Sequence, residues 1–326
     1  MSKIIKQSGN SSPRKAKYQL TNWSAYNRAL INRGDITLYF TDEALLGWYD
    51  DGPAQKGGQY VYSDACIETM LLFKTVFGLP YRQTQGFAQS IFMLMNLDEL
   101  IVPSYTQVSR RARLLDTDLN ALPANGSITV VVDSTGLKIY GEGEWKVRKH
   151  GYSKRRTWRK LHLGVDPETG MVHCTSLTDN STDDASELPD LLDQVDEAID
   201  EVSLDGAYDT EKCWDGLIER GITPIIPPRS NAVEWHEKQP GDLPDYPRNR
   251  AIREIDEVGL AQWKKNSGYH RRSLAETAMY RYKTIFGPTL YSRKMNAQKA
   301  ESKIKIKALN IMTAQGMPIT VKFEVN

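Results

Sequence analysis

Cysteine and histidine are both scarce in this chain. Cys66, Cys174 and Cys213 stand far apart with no C-x-x-C pair, which argues against a disulfide framework or a cysteine zinc site and suits a reducing cytoplasm. His150, His162, His173, His236 and His270 share no ligand spacing, so a histidine zinc site is not expected either. Long apolar runs are missing: none approaches the roughly 20 residues that cross a bilayer. The polar, basic stretch Met1–Tyr18 has no apolar centre of an export signal. These absences lead us to expect a soluble intracellular protein with no membrane partner. Repeats and low-complexity tracts are also lacking. The net charge is only +1, so any preference for a charged partner has to lie in how charge is distributed.

That distribution is uneven. Residues 1–18 carry Lys3, Lys6, Arg14, Lys15 and Lys17 without one acid and read as a basic, disordered tail. Residues 19–125 read as a helical domain. Asp64–Phe77 is rich in helix formers, with Ser63 placed to cap it and Gly78 to end it. Pro80 fits the first turn of a second helix that runs to about Met95. A third, from Ser104 or Thr106 to Leu115, carries Arg110, Arg111 and Arg113. Helix, connection, then an Arg-bearing helix is the layout of a helix-turn-helix, although Asn96–Pro103 is long for the turn.

An α/β domain is expected over 126–290. Ile128–Val132 is entirely β-branched, as a strand buried on both faces requires, and Asp133 follows at its expected end. Trp158–Val165, the turn Asp166–Gly170 and Met171–Leu177 complete a meander. Helix Asp183–Ile199, strand Glu201–Asp205, helix Thr210–Arg220 and strand Ile222–Ile226 follow. This alternation predicts a mixed sheet with flanking helices. Residues 230–263, with three prolines and Trp235, read as an insertion. A helix is expected over Asn266–Phe286, and residues 291–326 as a basic helical end carrying Lys299, Lys303, Lys305 and Lys307.

The densest charge lies between Lys146 and Lys160. Lys146, Arg148, Lys149, Lys154, Arg155, Arg156, Arg159 and Lys160 occur there without an acid, interleaved with Trp145, Tyr152 and Trp158. Eight like charges repel unless a polyanion is near, and basic residues with aromatics suit a nucleic acid.

Three acids complete the pattern. Asp133 and Asp205 each close a strand, and Glu276 lies on the helix 266–286. On a wheel of about 100° per residue, Tyr269, Arg272, Glu276 and Lys283 share one narrow stripe, opposite Leu274, Ala278, Tyr282 and Ile285. Carboxylates brought together repel unless cations neutralise them. Two magnesium ions about 4 Å apart would do so and serve a phosphoryl displacement. Asp209 is expected to cap the next helix, and the cysteines to fill the core.

Tyr269-x2-Arg272-x3-Glu276-x6-Lys283 resembles the Y-(2)-R-(3)-E-(6)-K signature of bacterial insertion-sequence transposases of the DDE type. The runs from Asp133 to Trp145 and from Asp205 to Asp209 resemble the insertion-sequence-five family. The resemblance implies a ribonuclease H-like catalytic fold and cleavage and strand transfer at inverted terminal repeats. It implies Asp133, Asp205 and Glu276 as catalytic ligands of two Mg2+ ions, for which Mn2+ substitutes. Tyr269, Arg272 and Lys283 would contact DNA near the element's end, with Arg148, Lys149, Lys154, Arg155, Arg156, Arg110 and Arg111 as further DNA contacts. It also implies double-stranded DNA as partner, a homodimer on that DNA and a place in the bacterial cytoplasm. A stand-alone nuclease and a non-catalytic DNA-binding protein remain the alternative readings.

Overall fold

The computed structural model describes residues 17–53, 57, 59–97, 99–124, 126–140, 158–235 and 246–323. The expected basic tail lies almost wholly outside them. So do Arg148, Lys149, Lys154, Arg155 and Arg156.

Two compact units are present, Met1–Asp35 with Gln315–Asn326, and Ile36–Ala314. In the first, strand β1 (Lys17–Leu20) pairs antiparallel with β8 (Thr320–Phe323), and helix α1 spans Trp23–Asn32. Asn22 fastens it: Nδ2 donates to the Met317 carbonyl (2.9 Å) and Oδ1 accepts from the Ile319 amide (2.8 Å).

The second unit begins with α2 (Asp42–Leu46), α3 (Asp64–Val76), α4 (Tyr81–Leu94) and α5 (Tyr105–Arg111). Ser63 caps α3 at the Cys66 amide. Ser104 and Gln107 form a reciprocal capping box on α5, which satisfies two amides that a helix start otherwise leaves bare. Phe40, Trp48, Phe73 and Phe92 are buried and packed ring against ring at the centre of these helices.

A mixed sheet follows, built from β2 (Ile128–Ile139), β3 (Trp158–Val165), β4 (Val172–Asp179), β5 (Ile199–Ser203), β6 (Thr223–Ile225) and β7 (Thr289–Leu290). Its order is β4-β3-β2-β5-β6, with β7 also on β2. β2, β3 and β4 are antiparallel neighbours, while β5 and β7 run parallel to β2. Val130, Val131 and Val132 are inaccessible to solvent, so the central strand is buried on both faces, as its composition required. One face packs on α6 (Leu188–Leu192) and α7 (Glu211–Glu219) through Leu191, Trp214 and Leu217. The other packs on α10 (Ser273–Phe286) and α11 (Met295–Ala314) through Ala278, Tyr282 and Leu309. Between β6 and α10 lie α8 (Pro247–Val258) and α9 (Leu260–Asn266).

Several expectations are corrected. The expected helix Asp183–Ile199 is α6 alone, after a 3-10 turn at Asp184–Glu187. It ends at Leu192, and Ile199 is already the first residue of β5, paired with Ile128. The region 230–263, expected as an insertion, is helical from Pro247 onward. The long helix over Asn266–Phe286 is broken: Gly268 takes φ 69°, a value open to glycine at little cost, and Tyr269–Arg272 form a 3-10 turn before α10. Within α10 the buried face lies about one residue round from the expected one. Ala275, Ala278, Met279 and Tyr282 are buried, whereas Leu274 and Ile285 are exposed.

The expected basic C-terminal helix is a core helix. α11 is buried nearly all round, and three of its four lysines answer acids of the same chain. Lys305 pairs with Glu301 (3.0 Å), Lys303 with Asp116 (2.8 Å) and Lys307 with Glu68. Asn310, inaccessible to solvent, donates to the carbonyls of Leu119 and Val172 and accepts from the Val172 amide, tying the helix to the end of β4.

Candidate active site

β2 owes the site to a gap in its pairing. On one edge β5 accompanies it only as far as Val131↔Ser203, and β7 joins only at Lys138↔Thr289. From Val132 to Leu137 that edge carries no strand among the described residues. Asp133 is therefore not at the end of its strand, as its position after five β-branched residues suggested. It lies in mid-strand, opposite Leu163 of β3, where the parallel pairing stops.

α10 runs across this gap. Arg272, just before it, donates from Nη1 to Asp133 Oδ2 (2.8 Å) and from Nη2 to Glu276 Oε1 (3.0 Å). A charge-assisted fork of this kind fixes direction as well as distance. One turn and three residues further on, Lys283 Nζ donates to Thr135 Oγ1 (2.6 Å). Arg272, Glu276 and Lys283 thus share one side of the helix as their spacing predicted, with Asp133 and Thr135 facing them from β2. The Arg272 guanidinium lies 5.9 Å from the Tyr269 ring centre, and Lys264 lies 5.0 Å from the same ring.

Asp205 stands two residues beyond β5. Its Oδ1 accepts from the Ala207 amide (2.8 Å), capping the 3-10 turn Gly206–Tyr208. Burial pushes the Asp133 carboxyl above its ordinary range. The Ser134 amide and Arg272 pull it down, and the charge of Asp205 pushes it up again. Burial works against the Arg272 cation, yet Asp133, Tyr269, Glu276 and Asp205 hold its pKa above the usual arginine value. Burial lowers Lys283. Burial raises the Tyr269 phenol; Arg272 opposes this, and Asp205 and Asp133 add to it. The two aspartates, the glutamate and the arginine form one electrostatic unit. Among the described residues, no three His, Cys, Asp or Glu side chains are arranged to bind one metal ion; a guanidinium joins Asp133 to Glu276.

The spacing of the sequence did not single out a fourth acid. Asp184 accepts from Ser134 Oγ (3.0 Å) and from Lys160 Nζ (3.0 Å), and it lies 3.8 Å from His162 Nδ1. It sits in the acid-rich run 179–190, where no period marks one carboxylate above the next. Beneath it, the Tyr208 hydroxyl is buried without a hydrogen-bond partner among the described residues. Burial raises its pKa, and Asp184, Asp205 and Asp133 all add to this.

Other candidates take structural places. Asp209 does not cap a helix; Thr210 does. Asp209 is buried against Arg248 (2.6 Å) and also accepts from Trp214 Nε1 and the Arg229 amide. These bonds and Arg248, against the effect of burial, lower its pKa. Trp235 packs on Tyr246 and on the Arg248 guanidinium. Arg111 is held by Asp64 (2.5 Å) and the Tyr62 carbonyl (2.7 Å), whereas Arg110 is exposed. Of the basic cluster, Arg159 and Lys160 are described, and each meets an acid, Asp179 and Asp184. All three cysteines are buried and unbridged.

Comparison with known families decides the reading. A family model described as "Transposase DDE domain" matches residues 124–311, more than half of the chain, and includes Asp133, Asp205 and Glu276. A second model of the same description matches residues 31–142. The chain belongs to the DDE transposase family. The transposase is also distantly similar to a piggyBac transposase, solved by cryo-EM as a synaptic complex with hairpin DNA. The TM-score is 0.37 at 11% identity, over 92% of this chain and 78% of that one. Nothing about this transposase follows from so remote a likeness. No helix among the described residues is long and apolar enough to cross a membrane.

Proposed function

We propose that this transposase binds the inverted terminal repeats of an insertion sequence, cleaves the 3′ ends of the element and joins them to target DNA. The observation that carries the proposal is the Arg272 fork, which gathers Asp133 and Glu276 in the gap of β2 beside the Lys283–Thr135 pair. An antiparallel meander followed by two parallel strands supports a ribonuclease H-like fold for the catalytic part, with the preceding helices as a DNA-binding domain.

The donor set suits a hard divalent ion. Asp133, Asp205 and Glu276 offer only oxygens, and a cation would offset both the burial that chiefly raises Asp133 and the charge of Asp205 that adds to it. Mg2+, or Mn2+ in its place, would be held by these three residues, and a pair of such ions would supply the Lewis acidity that makes a water or 3′-hydroxyl nucleophilic and stabilises the departing oxygen. Because no three acids converge in the described arrangement, Glu276 has to leave the Arg272 fork to join them. Its side chain is 60% exposed, so that change of rotamer meets little packing. The released Arg272 then faces the phosphate being transferred, and Lys283, oriented by Thr135, faces its neighbour. Tyr269 keeps the guanidinium in place from the other side. Arg110 and the segment with Arg148, Lys149, Lys154, Arg155 and Arg156 supply backbone contacts, and a homodimer holds two ends together.

Incubation with element-end oligonucleotides, target DNA and Mg2+ tests the proposal. Joined products are expected. Cleavage without joining points instead to a stand-alone nuclease, and biological activity that survives Asp133→Ala points to a non-catalytic DNA-binding protein.

A further inference from the structure

β2 leads away from the acids toward a second, strongly basic feature. Seven residues beyond Asp133, about 23 Å at the rise of a strand, Tyr140 packs on Tyr291 with ring centres 5.3 Å apart. Tyr291 lies at the rim of a cavity of about 840 Å³ formed by the end of α3, the start of α4, the turn after α5 and the segment entering α11. A second cavity of about 690 Å³ adjoins it, sharing Pro80, Tyr81, Ser109 and Arg113. Together they make one groove.

Its charge is one-sided. Besides Lys305, which pairs with Glu301, six cations line it, Lys74, Arg82, Arg110, Arg113, Arg293 and Lys294, and Glu301 is the one acid among the lining residues. Glu301 is already engaged by Lys305 and by the amides of Tyr291 and Ser292, so it offsets little of that charge. Among the described residues no acid pairs with any of the six cations. Two tyrosines stiffen the groove: Lys74 lies 5.1 Å from the Tyr81 ring centre and Arg82 lies 4.5 Å from that of Tyr105. Burial pushes the Lys74 ammonium down against the pull of Glu301, with Lys305 adding to the effect.

A small anion needs a few convergent donors in one pocket. Here the cations are strung along both cavities, which suits successive phosphates of a polyanion. We infer that this groove grips the sugar–phosphate backbone of the DNA duplex whose scissile phosphate lies at Asp133. The run of β2 from Asp133 to Tyr140, whose ring meets Tyr291 at the rim, is about as long as seven base pairs at about 3.4 Å per pair, so we place the grip about that far or farther from the cleavage point. The inference rests on the function proposed above and adds to it a distance and a named surface.

The test is a salt titration of binding to a duplex of about 20 base pairs that carries the element end, beside a version truncated about five base pairs from the cleavage point. Arg113→Gln/Arg293→Gln is compared with the wild type and with Lys212→Gln/Lys299→Gln, which removes two exposed cations elsewhere. On the long duplex the groove variant is expected to lower the slope of log K against log salt by about 2. On the truncated duplex it is expected to match the wild type, and the control variant to leave both slopes unchanged. A groove variant with the wild-type slope on the long duplex, or an equal fall in the control, overturns the inference and leaves the proposed function standing. A wild type that binds neither duplex overturns the proposed function itself.

Discussion

Arg272 holds Asp133 at 2.8 Å where one edge of β2, between its β5 and β7 pairings, carries no strand among the described residues. The same guanidinium reaches Glu276 at 3.0 Å. Before any ion or DNA arrives, it therefore does what a cation would do for two of the three acids. Arg272→Gln should leave Asp133 and Glu276 without their shared counter-charge. We expect strand cleavage to fall by about 10² or more, the scale on which a preorganised charge at a developing oxyanion acts, while Arg272→Lys restores only part of it because an ammonium cannot form the fork. Single-turnover cleavage assays check this; a lysine variant as active as the wild type contradicts the fork.

Asp133 makes the stability of the fold depend on pH. Its folded pKa is raised above the ordinary carboxylate value, chiefly by burial. A group of that kind favours folding while protonated, and the contribution is lost as pH rises through the folded value. The wild type should thus pay for its charged carboxylate at neutral pH. Asp133→Asn is expected to match or exceed the wild-type melting temperature at neutral pH and to lose that advantage as pH falls toward the carboxylate range. Thermal melts across pH measure it, and an advantage that instead grew on acidification would contradict the assignment.

Asp209 and Arg248 are a buried pair, their side chains 1% and 6% exposed. Removing one partner strands the other without water. Arg248→Met should cost about 3–5 kcal/mol, and Asp209→Asn should lose much of the same contact. Replacing both with apolar residues of similar size should cost less than Arg248→Met alone. Chemical denaturation of the single and double variants reads the difference.

Gly164 is where β3 meets its neighbours too closely for a side chain. A Cβ there would fall 2.2 Å from Cys174 Sγ and 3.0 Å from Val130 Cγ1. Gly164→Ala should destabilise by about 1–3 kcal/mol, the range for overpacking a filled core. Cys174→Ala in the same molecule should return part of it. Additive effects in the double variant would mean that the sulfur is not the obstacle.

Much of this was legible in the chain because its signals were local. The β-branched run at Ile128–Val132 marked the central strand, Ser63 and Ser104 marked helix starts, and the 4-7 spacing of Arg272, Glu276 and Lys283 put them on one side of α10. What was missed depends on contacts between distant segments. Nothing near Asp133 in the chain says that β5 leaves β2 at Val131 or that β7 joins at Lys138, so an acid in mid-strand read as one at a strand end. Lys303 and Lys307 of α11 looked like a surface because their partners, Asp116 and Glu68, are more than a hundred residues away. Asp184 gained its place only when β2 and β3 brought Ser134 and Lys160 to it. The break at Gly268 and the 3-10 turn Tyr269–Arg272 interrupt the expected helix, which a uniform helical wheel does not show.

The central claim is that Asp133, Asp205 and Glu276 act as one metal-dependent site for DNA strand cleavage. Glu276 tests it most directly, because its side chain is 60% exposed and its loss costs the fold within about 0.5 kcal/mol, as surface substitutions do. The measurement is 3′-end cleavage of an element-end oligonucleotide in Mg2+, wild type against Glu276→Gln, with folding of both followed by circular dichroism. The account predicts cleavage by the wild type, none above background by the folded variant, and none by the wild type in EDTA. Equal cleavage by both proteins would contradict it.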